Sequence, residues 1–417
     1  MPATKSAQAP IKALPIKAGP ILFGAALLLS LSLGLRQSLG LFMLPMTQGI
    51  GASVTDFTLS IAIQNAVWGV TQPFVGAAAD RYGIRPVALT GALLYIAGLA
   101  FSAFATGPLA LTLGTGPLIG IALSCTAAAL NMAAAARAVS PERRSQVLGM
   151  ISACGSLGTF IAAPLAQTLI AGPGWRYAMY AFIALALVML PAALLMGRAD
   201  RIPTPVRQGE ASSTREVIGT ALRRPAFLVM AAAYFVCGLQ LVFLTTHLPT
   251  YLAICGMDPM LSAEAIAVIG MANVIGSYGW GWLGGHFPKH VLLGLIYTLR
   301  SLALAAYFVF PPTPAATLVF AATMGLLWLG VSPLTSGMIA SMFGLRYMAT
   351  ISGLAFMSHQ VGSFLGAWGG GLIYTALGSY DRAWQFGVVI GLIAGLCQIA
   401  FGEDRRPTAP ALREAVA

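Results

Sequence analysis

The chain has 417 residues, of which 58% are hydrophobic and only 8% charged, with 47 glycines and a formal net charge of +11. A soluble domain is roughly a quarter charged, so a chain this poor in charge has no way to cover itself with a solvated surface, and lipid must be the missing solvent. In a soluble protein the positive balance would suggest nucleic acid; here its placement gives it another meaning, and no nucleic-acid partner is expected.

A bilayer-spanning helix needs about 20 mostly apolar residues, and runs of that kind recur from Ile21 to Phe401 with Gly, Pro and charge between them. The pattern predicts an all-α polytopic membrane protein with twelve spans, at 21–48, 56–79, 86–106, 109–137, 146–171, 177–197, 226–253, 262–285, 291–310, 315–340, 347–377 and 383–402. Span 1 is too long for a signal-peptide core and ends at no clear small-x-small site, so it reads as uncleaved. Spans 4 and 11 are long enough to tilt or to include interfacial turns. Five cysteines (Cys125, Cys154, Cys237, Cys255, Cys397) show no metal-ligand or redox spacing, and packing explains them better. No metal or cofactor is expected. Gly369-Gly370-Gly371 falls inside span 11, where close helix packing accounts for it.

Basic residues gather in alternate loops: Arg81 and Arg85; Arg137, Arg143 and Arg144; Arg198 to Arg224; Lys289; Arg346; Arg405 and Arg406. The intervening loops hold mainly Asp56, Asp258, Glu264 and Asp381, with Arg176 and Arg382 as exceptions. The positive-inside rule then places both termini and the stretch 198–225 in the cytoplasm. That stretch is polar, contains Pro203, Pro205 and Ser212-Ser213, and reads as a linker. The expected organisation is a tail at 1–20, a six-helix bundle at 21–197, the linker at 198–225, a second bundle at 226–402 and a tail at 403–417.

An internal repeat supports this division. Gly34-Leu35-Arg36 followed by Pro45 matches Gly238-Leu239-Gln240 followed by Pro249 at a spacing of 204 (238 less 34, 249 less 45). Gly149, Gly158 and Phe160 match Gly353, Gly362 and Phe364 at the same spacing, and Asn131 falls on Thr335. Six spans return the chain to its starting side, so the halves run parallel, an arrangement known among carriers.

Between spans 2 and 3 stands Gly76-Ala77-Ala78-Ala79-Asp80-Arg81-Tyr82-Gly83-Ile84-Arg85. Gly76 permits close helix approach, Asp80 can pair with basic groups or a helix N-terminus, and Gly83 permits a tight turn. The segment resembles the G-x-x-x-D-R-x-G-x-R signature of the major facilitator superfamily. The second-half counterpart, Gly281-Trp282-Leu283-Gly284-Gly285-His286, lacks the acid–arginine pair. The resemblance implies that Gly76, Asp80, Arg81, Gly83 and Arg85 form a conformational latch and make no substrate contact.

A finer resemblance rests on Gly34-Leu35-Arg36-Gln37-Ser38-Leu39-Gly40-Leu41-Phe42, Asn273-Val274-Ile275-Gly276-Ser277-Tyr278 and Ser358-His359-Gln360-Val361-Gly362-Ser363-Phe364-Leu365-Gly366. Together they look like a bacterial branch near the monocarboxylate transporters and oxalate–formate exchangers. Those relatives place an arginine where Ser277 stands, and proton-coupled members an acid where Asn273 stands; both charges are missing here. His359 falls where the oxalate exchangers have a lysine.

All twelve carboxylates lie in loops, span ends or tails, and no lysine lies mid-span, leaving Arg36, Arg300, His247 and His359 as the ionisable groups within or near the membrane interior. Intramembrane charge costs roughly 2.5–3.5 kcal/mol on insertion scales. Without an acidic partner such an arginine must be neutralised by carbonyls, cavity water or a bound anion. Arg36 is the first candidate for a carboxylate, because a guanidinium presents a bidentate fork. His359 replaces Gly155 of the other half and suits anion recognition or proton exchange. His247, Gln240, Asn131, Thr335, Asn273, Tyr278 and Arg300 complete the candidate substrate-binding set, with Gln64 as a further polar candidate. Trp68, Trp280 and Trp328 are potential apolar wall, although packing is the commoner role.

These readings predict a secondary carrier of a small organic anion, with a monocarboxylate first, working by alternating access in proton symport or exchange. The expected setting is a bacterial inner membrane, and superfamily analogy favours a monomer. A drug or amphipathic-metabolite exporter on the same fold is the alternative, disfavoured by the missing intramembrane acids. A receptor is a weaker one, since only a short polar stretch follows Phe401. An enzyme is not expected, because no nucleophile–base constellation is apparent.

Overall fold

The computed structural model describes residues 18–52, 54–203, 213–257, 259–310 and 312–404. Most of the N-terminal tail, the linker residues 204–212 with Pro205, Arg207 and Ser212, the loop residue Asp258, and 405–417 with Arg405 and Arg406 lie outside the described residues.

Among the described residues every regular element is helical. Nine helical stretches are long and apolar enough to cross a membrane. Val54–Tyr82, Pro259–His286 and Met348–Leu377, with 29, 28 and 30 residues, supply spans 2, 8 and 11 and complete twelve. Within the first half, span 1 (Ala18–Ser38, continued by a 3₁₀ turn and Met43–Ile50) packs on span 5 (Pro141–Ala171). Span 3 (Ile84–Ala103) packs against span 4 and span 6. In the second half, span 7 (Pro225–Ile254) lies along span 11 as span 1 lies along span 5, and span 9 (Lys289–Val309) lies along span 12 (Asp381–Phe401). The two bundles meet along two seams: span 2 on span 11, and span 5 on span 8. The stretch expected as a linker is partly regular, with a 3₁₀ turn at Gly197–Arg201 and a helix at Thr214–Ala221. Ser213 Oγ caps that helix by accepting from Glu216 N–H.

Spans 4 and 10 are both broken. Span 4 runs as Pro108–Leu113, a π turn Gly114–Leu118 containing Pro117, Ile119–Thr126 and Ala128–Ala138, interrupted by extended Ala127. Span 10 runs as Pro314–Trp328 and Val331–Phe343. Each break frees carbonyls that lipid cannot solvate, so side chains must bond them. In span 4 the Asn131 amide donates to Thr126 O (2.6 Å) and Ala127 O (2.8 Å). In span 10 an arginine takes that part: Arg300 Nη2 donates to Leu327 O (2.6 Å) and Trp328 O (3.3 Å), the final carbonyls of the first segment. A cation at a helix C-terminus also meets the negative end of the macrodipole. Arg300→Met is expected to lower the thermal midpoint by several degrees and leave the affinity of surviving protein for an anion within about twofold; a thermal melt and a binding titration on one preparation check this.

Candidate substrate site and gate

At one end of the molecule, the motif loop ties the halves together. The Asp80 side chain is only 1% exposed, and its Oδ2 accepts from the N–H (2.8 Å) and hydroxyl (2.7 Å) of Thr350 in the first turn of span 11. Its Oδ1 lies 3.3 Å from Arg137 Nη2, and Arg137 Nη1 is 4.0 Å from Asp200. Asp80 therefore occupies the N-terminus of a helix in the opposite half, where free N–H groups and the helix dipole favour an anion. Asp200 does the same within the first half, accepting from Ile84 N–H (2.7 Å) and Arg85 N–H (2.8 Å) at the start of span 3. Gly83 precedes that helix with φ of 101°, a region L-residues avoid. A side chain at Gly76 would run into the Ala349 carbonyl, so glycine is what lets span 2 lie against span 11. Arg81 stacks on Tyr82 at 5.2 Å. On the other seam, Gly149 and Gly281 approach backbone to backbone, and a Cβ on Gly149 would sit 2.8 Å from the Gly281 Cα. Here the counterpart of the Asp80 latch is bare glycine contact.

Deeper in, a second cluster spans both halves at the middle of the helices. Arg36 Nη2 donates to Asn65 Oδ1 at 2.6 Å, and its guanidinium stacks 4.9 Å above the Trp68 ring. Trp68 meets Phe356 of the second half at 4.8 Å. Phe356 lies nearly parallel to the His359 ring (5.3 Å, 10°), and Tyr234 sits 4.8 Å from the same imidazole. Gln360 Nε2 donates back across the seam to Asn65 O at 3.2 Å. His359 Nδ1 lies 3.2 Å from Gln360 Oε1 and 3.4 Å from Ser363 Oγ. Arg36, Asn65, Tyr234, Phe356 and His359 are only half-buried although they sit mid-span and face one another across the two halves. Arg137 pairs with Asp80 and lies near Asp200, and Arg224 pairs with Asp404, all at the motif end; none of these ion pairs involves Arg36. Its Nε is buried without a hydrogen-bond partner.

The remaining candidates point elsewhere. Gln240, the repeat partner of Arg36, donates to Ser301 Oγ (3.0 Å) and Gly387 O (2.8 Å) between spans 9 and 12. Arg300 is fully buried, bonding Cys237 Sγ (3.1 Å) in addition to the span 10 carbonyls. Asn273 accepts from Leu329 N–H at the span 10 break (2.9 Å) and donates to Ser156 Oγ across the seam (3.0 Å). Thr335 bonds Val331 O in its own helix, and Tyr278, half exposed, accepts from Gln146 Nε2 (3.0 Å). His247, thirteen residues beyond Tyr234 along span 7, meets the Tyr380 hydroxyl through Nδ1 at 3.2 Å and packs among Phe243, Tyr380 and Gly370. Gln64 turns into the first half to Thr115 O (2.7 Å), leaving its neighbour Asn65 at the seam. The structure thus brings together Arg36 and His359 from the expected set.

Asn65, Tyr234, Phe356 and Gln360 join the cluster without having been singled out. A signal was present for two of them. At the 204-residue spacing Tyr234 falls on Ser30 and Phe356 on Ser152, just as His359 falls on Gly155. Large residues opposed to small repeat partners mark where the two halves stop being equivalent.

Comparison with known proteins agrees with this architecture. The solved xylose:proton symporter XylE superposes with a TM-score of 0.71 at 11% identity, covering 93% of this chain and 96% of that one. The E. coli fucose:proton symporter FucP gives 0.68 at 15% identity, covering 90% and 97%. By sequence the chain is 28% identical to monocarboxylate transporter 13 of Bos taurus over 372 residues, 88% of this chain and 84% of the relative. It is 23% identical to the oxalate:formate antiporter of Oxalobacter formigenes over 394 residues, 89% and 88% of the two chains. The family model described as Major Facilitator Superfamily matches residues 22–367, and the chain belongs to that superfamily.

Proposed function

We propose that this protein is a secondary carrier of a small organic anion, a monocarboxylate first, held between the two halves at Arg36. The observation that carries the reading is an arginine in the middle of span 1, half-buried at the seam, bonded to a neutral amide and an aromatic face, with no carboxylate partner among the described residues. An unpaired intramembrane cation is costly unless function requires it, and a carboxylate would satisfy its fork. Relatives named monocarboxylate transporter and oxalate:formate antiporter are consistent with an anionic cargo.

Transport follows from alternating exposure of that site as the halves rock. The motif end, held by Asp80 on span 11, is the closed side in this reading; the basic loops at that end support a cytoplasmic orientation, and a bacterial inner membrane is the expected setting. With no mid-span acid, coupling to protons runs through His359 or the protonated substrate, or is replaced by exchange. Uptake by His359→Gln that keeps the wild-type pH profile would remove the histidine from that list.

The test is a thermal-shift screen of purified protein against short carboxylates, with cationic drugs as contrast, repeated on Arg36→Ala. A bound ligand stabilises the folded state by mass action, about 2.7 kcal/mol at a hundredfold excess over Kd. Stabilisation by carboxylates that vanishes in the variant supports the carrier reading. Stabilisation by cations alone would instead favour an exporter.

A further inference from the structure

Resting on the organic-anion reading, we infer that the preferred cargo is an aromatic monocarboxylate, its carboxylate on Arg36 and its ring against the aromatic cluster of Trp68, Tyr234, Phe356 and His359. The cluster is continuous. Trp68 touches Phe356 at 4.8 Å, Phe356 stacks on His359 at 5.3 Å, and Tyr234 reaches both His359 (4.8 Å) and Phe356 (6.2 Å). Charge and apolar surface are segregated by half. Arg36 and Asn65 come from the first half, while three of the four rings come from the second. A ligand that satisfies both must be charged at one end and flat and apolar at the other.

Alternative chemistries fit less well. An aromatic cluster alone would suit a quaternary ammonium, but the Arg36 guanidinium lies 4.9 Å from the Trp68 ring and would repel a cation there. Among the described residues of the cluster and its surroundings, a second carboxylate has no free cation to meet. Arg300 is fully buried, with its two terminal nitrogens bonded to Cys237, Leu327 and Trp328, and His359 Nδ1 faces Gln360 and Ser363. A small hydroxy acid would leave the rings in contact with water and gain little from them. Offset or edge contacts between aromatic rings add a modest preference beyond area burial, so ring character as well as apolar bulk should count.

The experiment measures equilibrium binding of benzoate, cyclohexanecarboxylate, lactate and oxalate to the full-length purified protein. Benzoate is expected to bind at least about tenfold tighter than lactate or oxalate, and about two- to tenfold tighter than cyclohexanecarboxylate. The gap between benzoate and cyclohexanecarboxylate should close in Phe356→Leu and in Trp68→Leu, which keep an apolar side chain and remove a ring. The wild-type comparison decides the matter even where a variant misfolds. Equal affinity for benzoate and cyclohexanecarboxylate, or binding of lactate or oxalate without benzoate, overturns the aromatic preference and leaves the organic-anion proposal standing. Absence of binding by every carboxylate overturns both.

Discussion

Replacing Arg36 by glutamine, the residue its repeat partner already is, is expected to cut carboxylate uptake into proteoliposomes by roughly a hundredfold while leaving the protein as stable as before or more so. The two halves of this prediction come from one observation. Removing one member of a buried charge-assisted pair typically costs 2–5 kcal/mol of binding, and about 1.4 kcal/mol is a factor of ten. In the empty carrier the same guanidinium has no carboxylate among the described residues; its buried Nε lacks a hydrogen-bond partner, as does that of Arg300, so the difference between the two lies in what their terminal nitrogens bond. Removal of the Arg36 guanidinium therefore relieves desolvation that only Asn65 and Trp68 offset. A structural arginine behaves in the opposite way. Arg300, which bonds the carbonyls at the break in span 10, should lose stability and keep affinity. Arg36→Gln with wild-type uptake and a lowered melting temperature would reassign Arg36 to the structural class. Arg36→Lys is expected to fall between, because an ammonium keeps the charge and loses the bidentate fork.

The architecture was legible because the bilayer forces it. Low charge, recurrent apolar runs and the 204-residue repeat leave few alternatives once every backbone group must bond internally. Arg36 and His359 were legible for a related reason, since an ionisable group mid-span is costly enough to need explaining. Which neighbours reach them was not legible from the same signals. Gln64 and Asn65 are adjacent, and only the rotation of span 2 decides that Gln64 bonds Thr115 inside the first half while Asn65 meets Arg36 at the seam. Arg300 shows the converse. Its cost was readable, but its partners are carbonyls freed where span 10 breaks; Gly330 and Pro333 signal that break as Pro117 does in span 4, without saying which side chain reaches the freed carbonyls. The aromatic residues Tyr234 and Phe356 look like ordinary apolar span positions until compared with Ser30 and Ser152.

Substitution of Asp80 is expected to have the other large effect, on conformation more than on affinity. The carboxylate is 1% exposed and links the halves through the two hydrogen bonds it accepts from Thr350 of span 11, while its ion pair with Arg137 of span 4 lies within the first half. Each of the two bonds that Thr350 donates to the carboxylate is worth about 1.5–3 kcal/mol, and both are lost across the halves with the acid, whereas leaving Arg137 with Asp200 at 4.0 Å alone weakens the first half itself. Asp80→Ala should therefore lower the ratio of motif-end-closed to motif-end-open protein by roughly a hundredfold or more. Hydrogen exchange of the amides between Tyr347 and Gly353 reports this directly, with protection falling steeply in the variant. Thr350→Val keeps the backbone N–H and the ion pair and loses only the hydroxyl bond of 2.7 Å. A single neutral bond to a charged acceptor is worth about 1.5–3 kcal/mol, so its effect should be several times smaller in free energy than that of Asp80→Ala at the upper end and never larger. Benzoate or any other carboxylate should still bind Asp80→Ala, since the latch lies at the helix ends and Arg36 at mid-span. Unchanged protection in Asp80→Ala would mean that the glycine seam at Gly149 and Gly281 holds this end shut without the acid.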